Sequence, residues 1–152
     1  PELGRLTLWG AAVTDAAIPL LAKNPQLKTL VLENTEITSA GIDALTKLPN
    51  LKVLNLRRST YLDDTALETI SQMQDLEQLI LVGAGQQTNV LPPEIGNLTN
   101  LKWLCLPKFQ PTALPPEIGN LTSQERSDIE SRFEVGLVEA REHPLRVGGF
   151  EL

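Results

Sequence analysis

One cysteine and one histidine are all that this chain of 152 residues offers for thiol chemistry, imidazole catalysis or soft metal ligation. Cys105 alone closes no disulfide within the chain, which favours an intracellular setting. A structural zinc site takes about four His or Cys ligands, so two such residues do not make one. His143 stands beside Pro144 in the tail, and a thiolate–imidazole pair would need that tail to fold back onto Cys105. Basic residues are also in deficit: 13 Lys and Arg against 19 Asp and Glu give a net charge of −6. That balance argues against general affinity for nucleic-acid backbones, which depends on Lys and Arg displacing counterions. No apolar run approaches the roughly 20 residues that span a bilayer, so no membrane insertion is expected. Gly83-Ala84-Gly85 lacks the Lys and spacing of a phosphate loop and reads as a turn. The adjacent carboxylates Asp63 and Asp64 suit the start of a helix better than a cation. No catalytic constellation, cofactor or metal is expected.

What the chain does have is repetition. Leucines at 3, 6 and 8 recur at 27, 30 and 32, at 51, 54 and 56, at 76, 79 and 81, and at 101, 104 and 106. These are five copies of Leu-x-x-Leu-x-Leu at spacings of 24, 24, 25 and 25 residues. A period of this length marks a solenoid, whose units bury their apolar faces only by stacking on neighbours. Within each copy the last two leucines alternate with other residues, the pattern of a strand with one buried face. Stacked copies predict a parallel sheet, with each connection crossing back over the opposite side.

The crossovers come in two kinds. After the first three copies they read Val13-Thr14-Asp15-Ala16-Ala17-Ile18, Ile37-Thr38-Ser39-Ala40-Gly41-Ile42 and Leu62-Asp63-Asp64-Thr65-Ala66-Leu67. Thr, Ser or Asp at these points can cap a helix. The pairs Ile18/Leu21, Ile42/Leu45 and Leu67/Ile70 then share one helical face against the sheet. The last two crossovers repeat one phrase, Leu-Pro-Pro-Glu-Ile-Gly-Asn-Leu-Thr, at 91–99 and 114–122. Paired prolines remove backbone donors, so an extended piece followed by a single helical or 3₁₀ turn is predicted there. The sequons Asn97-Leu98-Thr99 and Asn120-Leu121-Thr122 fall at the same place in that phrase and read as part of the repeat rather than as glycosylation sites.

This pattern resembles the leucine-rich repeat family over about Leu3 to Leu121. The first three units are similar to ribonuclease-inhibitor-like and bacterial repeats, the last two to the Leu-Pro-Pro-Glu-Ile-Gly-Asn-Leu units of plant-type and bacterial proteins. The resemblance implies an α/β solenoid: a curved parallel sheet on the concave face, with short helices, 3₁₀ turns or extended segments on the convex face. The family's usual Asn, three residues after the third leucine, is replaced here by Ala11, Thr35, Ser59, Ala84 and Phe109. Thr and Ser can make part of that residue's bonding to the turn, and Ala and Phe cannot. Irregular geometry is expected around Gly85, in the long loop from Gly83 to Val90.

The repeats stop after Thr122. The solenoid is assigned to residues 1–122, a C-terminal capping helix to 123–143 and an extended or mobile tail to 144–152. Thr122 with Glu125 has capping-box spacing, and Ile129, Phe133 and Leu137 recur at intervals of four. Such a helix would cover the open end of the leucine core. Because the sequence begins at Pro1 without a Met or a leader pattern and enters its first repeat at Leu3, it reads as a fragment or processed chain, and the compartment stays open, a secreted effector included.

Side chains interleaved with the leucines should face outward on the concave side. They form four columns: Arg5, Thr29, Val53, Gln78 and Trp103; Thr7, Val31, Asn55, Ile80 and Cys105; Trp9, Glu33, Arg57, Val82 and Pro107; and Gly10, Asn34, Arg58, Gly83 and Lys108. Val31, Val53, Ile80, Val82, Trp103 and Cys105 are expected to form an exposed apolar patch of the kind found at interaction sites. Trp9, Arg57, Arg58 and Trp103 are residue types enriched at binding hot spots. With Glu33 and Lys108 these are the candidate partner-binding residues. A protein or peptide partner on the concave face is the leading expectation. Two alternatives stand beside it: the substrate-recognition part of a larger enzyme, such as the bacterial effector ubiquitin ligases whose repeats it also resembles, and a structural or self-associating solenoid using Trp9. Five strands at about 4.8 Å spacing span roughly 20 Å, and the inner face of each is about 10 Å long, a footprint of roughly a few hundred Å², against about 800 Å² per partner in a standard interface. A tight partner would therefore also grip the loops, or the working protein is larger.

Overall fold

The computed structural model describes residues 3–84, 91–105, 115–117, 136–137 and 148–149. Five strands carry the repeats: β1 (Arg5–Trp9), β2 (Thr29–Glu33), β3 (Val53–Asn55), β4 (Gln78–Ile80) and β5 (Trp103–Cys105). They pair in sequence order, all parallel. The register is that of the repeat: Leu30 lies between Leu6 and Leu54, and Leu79 between Leu54 and Leu104. The carbonyl before each strand accepts two successive amides of the next unit. Lys28 O takes Lys52 N and Val53 N, and Lys52 O takes Glu77 N and Gln78 N.

The three leucines of repeats two to four are at most 2% exposed. Each such burial stabilises by about 1.5–3 kcal/mol relative to exposure. Towards the ends the layer thins: Leu6, Leu8 and Leu104 are only half-buried, and Leu3 is 39% exposed.

Opposite the sheet lie a 3₁₀ turn at Asp15–Ala17 running into α1 (Ile18–Leu21), then α2 (Ser39–Leu45) and α3 (Asp64–Ile70). Ile18 and Leu21, Ile42 and Leu45, and Leu67 and Ile70 are the buried pairs, as the three-residue spacing requires. Thr38 and Asp63 cap α2 and α3 by accepting from Ala40 N and Ala66 N. Thr14 makes no such bond. Instead the Asp15 carboxylate reaches across to the next unit and accepts from Thr38 N at 2.9 Å and Thr38 Oγ1 at 2.6 Å. Ser39 Oγ in turn donates to Asp63 at 2.5 Å, so the helix starts of three units are bonded in series. The Ser39 hydroxyl, ahead of the Ala66 amide, holds the Asp63 carboxyl below its ordinary range.

Gly41 has no room for a β-carbon. One built there would overlap the Asp15 carboxylate and stand 2.8 Å from Ile37 Cγ2. The fourth crossover changes type, as paired prolines dictate: Pro92 is extended and Pro93–Asn97 is a 3₁₀ helix burying Ile95. Gly96 in that turn lies under the next copy of the phrase, where a β-carbon would meet the Glu117 carbonyl oxygen at 2.5 Å.

Hydroxyls replace amides in the buried turn. Ser59 Oγ donates to Leu32 O at 2.9 Å and lies 2.9 Å from Thr35 Oγ1, with both side chains at most 2% exposed. Ser59 has one proton, already given to Leu32, so Thr35 is the donor of the second bond. Ala84 occupies the next rung without a bonding side chain. At the opposite turn Asn50 Nδ2 donates to Pro25 O at 2.8 Å and Asn100 Nδ2 to Gln74 O at 3.0 Å. Asp75, between them in the repeat, has no side-chain amide to donate.

Of the range 123–143, where a helix is expected, only Gly136–Leu137 is described; it forms strand β6, which pairs antiparallel with β7 (Gly148–Gly149). β7 in turn joins β5 through Cys105 and Gly148 in parallel. The open edge of β5 presents unpaired backbone groups, which a strand satisfies and a helix cannot. The remainder of 123–143 and of the 144–152 tail, the loop around Gly85, Phe109, Pro107 and Lys108 lie outside the described residues.

Candidate functional site: the strand face

Parallel pairing at the repeat register aligns the interleaved residues into columns. Arg5, Thr29, Val53, Gln78 and Trp103 are successive partners, and so are Thr7, Val31, Asn55, Ile80 and Cys105. Trp9 pairs with Glu33, and the third column continues past the strands with Arg57 and Val82. The fourth column, one residue further on, is where the chain turns. Gly10, Asn34, Arg58 and Gly83 hold left-handed backbone, with φ of 99°, 56°, 59° and 68°. Gly tolerates this conformation and Asn adapts to it, whereas Arg is held there at a cost of about 1–2 kcal/mol.

The apolar residues of the face are less open than interleaving alone suggests. Val31, Val53, Ile80, Val82, Trp103 and Cys105 are half-buried, because side chains on strands about 4.8 Å apart cover one another. Trp9, on the outermost strand, is 78% exposed. Burial pushes the Cys105 thiol up, against the opposing pull of Arg57, so the thiol is protonated at neutral pH.

Charge is organised around this strip. Glu33 Oε1 stands 3.8 Å from Arg57 Nε and 4.0 Å from an Arg58 guanidinium nitrogen, holding both arginines at one margin. Asn55 Oδ1 accepts from Arg57 N at 3.0 Å and fixes the turn that presents them. At the other margin, just before each strand, stand Gly4, Lys28, Lys52, Glu77 and Lys102, a column that alternation between leucines does not single out. Lining up the residue that follows the first leucine of each repeat would have found it. Glu77 bonds both Lys52 and, at 3.0 Å, Lys102, and their ammonium groups, Lys52 first, hold its carboxyl below the usual range. The same bond to Glu77 raises Lys52.

Among the described residues no three His, Cys, Asp or Glu side chains gather as a metal site would need, and no helix is long and apolar enough to cross a membrane. His143 lies outside the described residues, and its pairing with Cys105 is not part of the described geometry.

Residues 25–84 match the family profile described as "Leucine rich repeat". Among solved structures, a leucine-rich-repeat protein of Leptospira interrogans superposes with a TM-score of 0.59 at 29% identity, over 78% of this chain and 29% of that one. An internalin of Listeria monocytogenes superposes with a TM-score of 0.51 at 25% identity, over 69% of this chain and 29% of that one. The chain thus spans about three tenths of the length of each. No curated protein matches it.

Proposed function

Since the chain belongs to the leucine-rich repeat family, commonly a non-enzymatic scaffold for binding proteins, we propose that it holds a protein or peptide partner against the strand face. The observation that carries this reading is the composition of that face. Tryptophans, aliphatics and arginines stand where a solvated sheet would carry small polar residues. The opposite side is occupied by helices whose polar starts are already bonded to one another. The face is small, and the matched proteins are much longer than this chain. The partner therefore extends onto the loops at the strand ends, or further repeats share the work.

Affinity capture with the wild-type chain, repeated with Trp103→Ala, Arg57→Glu and Asp64→Ala, tests the assignment. The first two variants should lose the partner, and Asp64→Ala, on α3, should keep it. Loss with Asp64→Ala but not with the strand-face variants would overturn the reading. Self-association is a second reading, favoured by the 78% exposure of Trp9 on the outermost strand. A monomeric mass across a wide concentration range in sedimentation would remove it.

A further inference from the structure

The net charge of −6 hides a division between the two sides of the molecule. Of the eight basic residues described, six lie on the strands or immediately beside them: Arg5, Lys28, Lys52, Arg57, Arg58 and Lys102. Of the eleven acidic residues described, Glu33 and Glu77 lie there with them, and so does Asp75, three residues before β4 and near enough to act on Lys52. The strand side therefore carries a net charge of +3 and the crossover side −6. Glu33 is engaged by the two arginines and Glu77 by two lysines. What faces a partner is an aliphatic strip with ammonium groups along one margin and guanidinium groups along the other.

We propose that the partner is an acidic polypeptide segment with apolar side chains, laid along the strand face so that its carboxylates meet these two basic margins. The proposal rests on the strand-face reading above and adds the chemistry of the occupant. Charge complementarity of this kind sets which partner is accepted and how fast it arrives. The two margins stand five to six residues apart along a strand, about 16–20 Å, or about twice the screening length at physiological salt, so a bound chain meets each margin with separate carboxylates. Arg58 supports the assignment. Its turn column holds Gly, Asn and Gly at the other described positions, and only here does a long cation occupy a left-handed residue. Its side chain is 63% exposed and its guanidinium is 4.0 Å from Glu33, a contact too long and open to repay that conformation. Binding an anion gives the side chain a use that folding does not. Nucleic acid is the less suitable polyanion, because the half-buried residues between the margins are mainly aliphatic and offer few rings for base stacking.

The test is fluorescence anisotropy of the whole chain with a short labelled peptide of Glu and Leu. Matched peptides have every Glu replaced by Gln or by Lys, and a labelled thymidine oligonucleotide is included. The Glu peptide should bind at least about tenfold tighter than the Gln peptide, the Lys peptide should not bind, and added salt should weaken the complex. Arg57→Glu should weaken it about tenfold. Arg58→Gly should weaken it severalfold without lowering the thermal midpoint, which separates binding from folding. Asp64→Lys on the crossover side should change affinity less than twofold. Equal binding of Glu and Gln peptides, both sensitive to Trp103→Ala, would overturn the acidic occupant and leave the strand-face reading standing. Binding insensitive to every strand-face variant would overturn both. No peptide binding, preference for the oligonucleotide, or self-association abolished by Arg57→Glu would each overturn the proposal.

Discussion

Removing one oxygen from the core, by Ser59→Ala, strands two buried groups at once. Ser59 Oγ gives its proton to Leu32 O and receives that of Thr35 Oγ1, both at 2.9 Å, in a turn closed to solvent. With the hydroxyl gone, the Leu32 carbonyl and the Thr35 hydroxyl lose their side-chain partners. A buried group left unsatisfied costs about 1–3 kcal/mol, so the expected loss for the pair is about 2 kcal/mol or more. Thr35→Val is milder, about 1 kcal/mol, because Ser59 keeps its bond to Leu32 and the new methyl is apolar. The double variant leaves only the Leu32 carbonyl unmet. Its loss should fall short of the sum of the singles by about 1 kcal/mol, a coupling expected of residues in one network. Urea unfolding followed by circular dichroism measures all three. A loss below about 0.5 kcal/mol for Ser59→Ala, or strict additivity, would refute the claim that hydroxyls do the work of the turn ladder.

Three further outcomes are expected. Gly41→Ala should destabilise by about 1–2 kcal/mol although Ala favours helices, because the β-carbon displaces the Asp15 carboxylate and presses on Ile37 Cγ2; a higher thermal midpoint would contradict this. Gly96→Ala should lose about 1–3 kcal/mol, since the obstacle is the backbone of Glu117 rather than a movable side chain. Stability should fall with acid. Asp63 and Glu77 are held below their ordinary range in the folded chain, so their contribution is present above about pH 4 and is lost as pH drops through the lowered folded values. Thermal midpoints measured down to about pH 2 should decline less steeply for Asp63→Asn than for wild type.

The parts of the fold that repeat were legible because repetition carries its own register. Once Leu30 and Leu54 are equivalent, Val31 must stand beside Asn55, and the columns follow. The caps at Thr38 and Asp63, the 3₁₀ turn after the paired prolines and the partial replacement of amides by hydroxyls follow from local chemistry in the same way. Contacts between units are another matter. Asp15 reads as a helix-start residue of its own unit and instead bonds Thr38 of the next, and nothing in Gly41's own helix shows that a carboxylate from the preceding unit fills the place of a β-carbon there. The mutual covering of Val31, Val53 and Ile80 depends on the spacing of strands, which no single strand reveals. The pairing of Gly136–Leu137 and Gly148–Gly149 onto the sheet answers the open edge of β5, a demand made by another part of the chain.

If the strand face, not the helical side, meets the partner, amide chemical-shift mapping of the labelled chain on addition of a captured partner shows it. Amides of β1–β5 and of the turns at Arg57 and Arg58 should shift while those of α1–α3 stay in place. Shifts concentrated in α1–α3, with the strands unmoved, would contradict it.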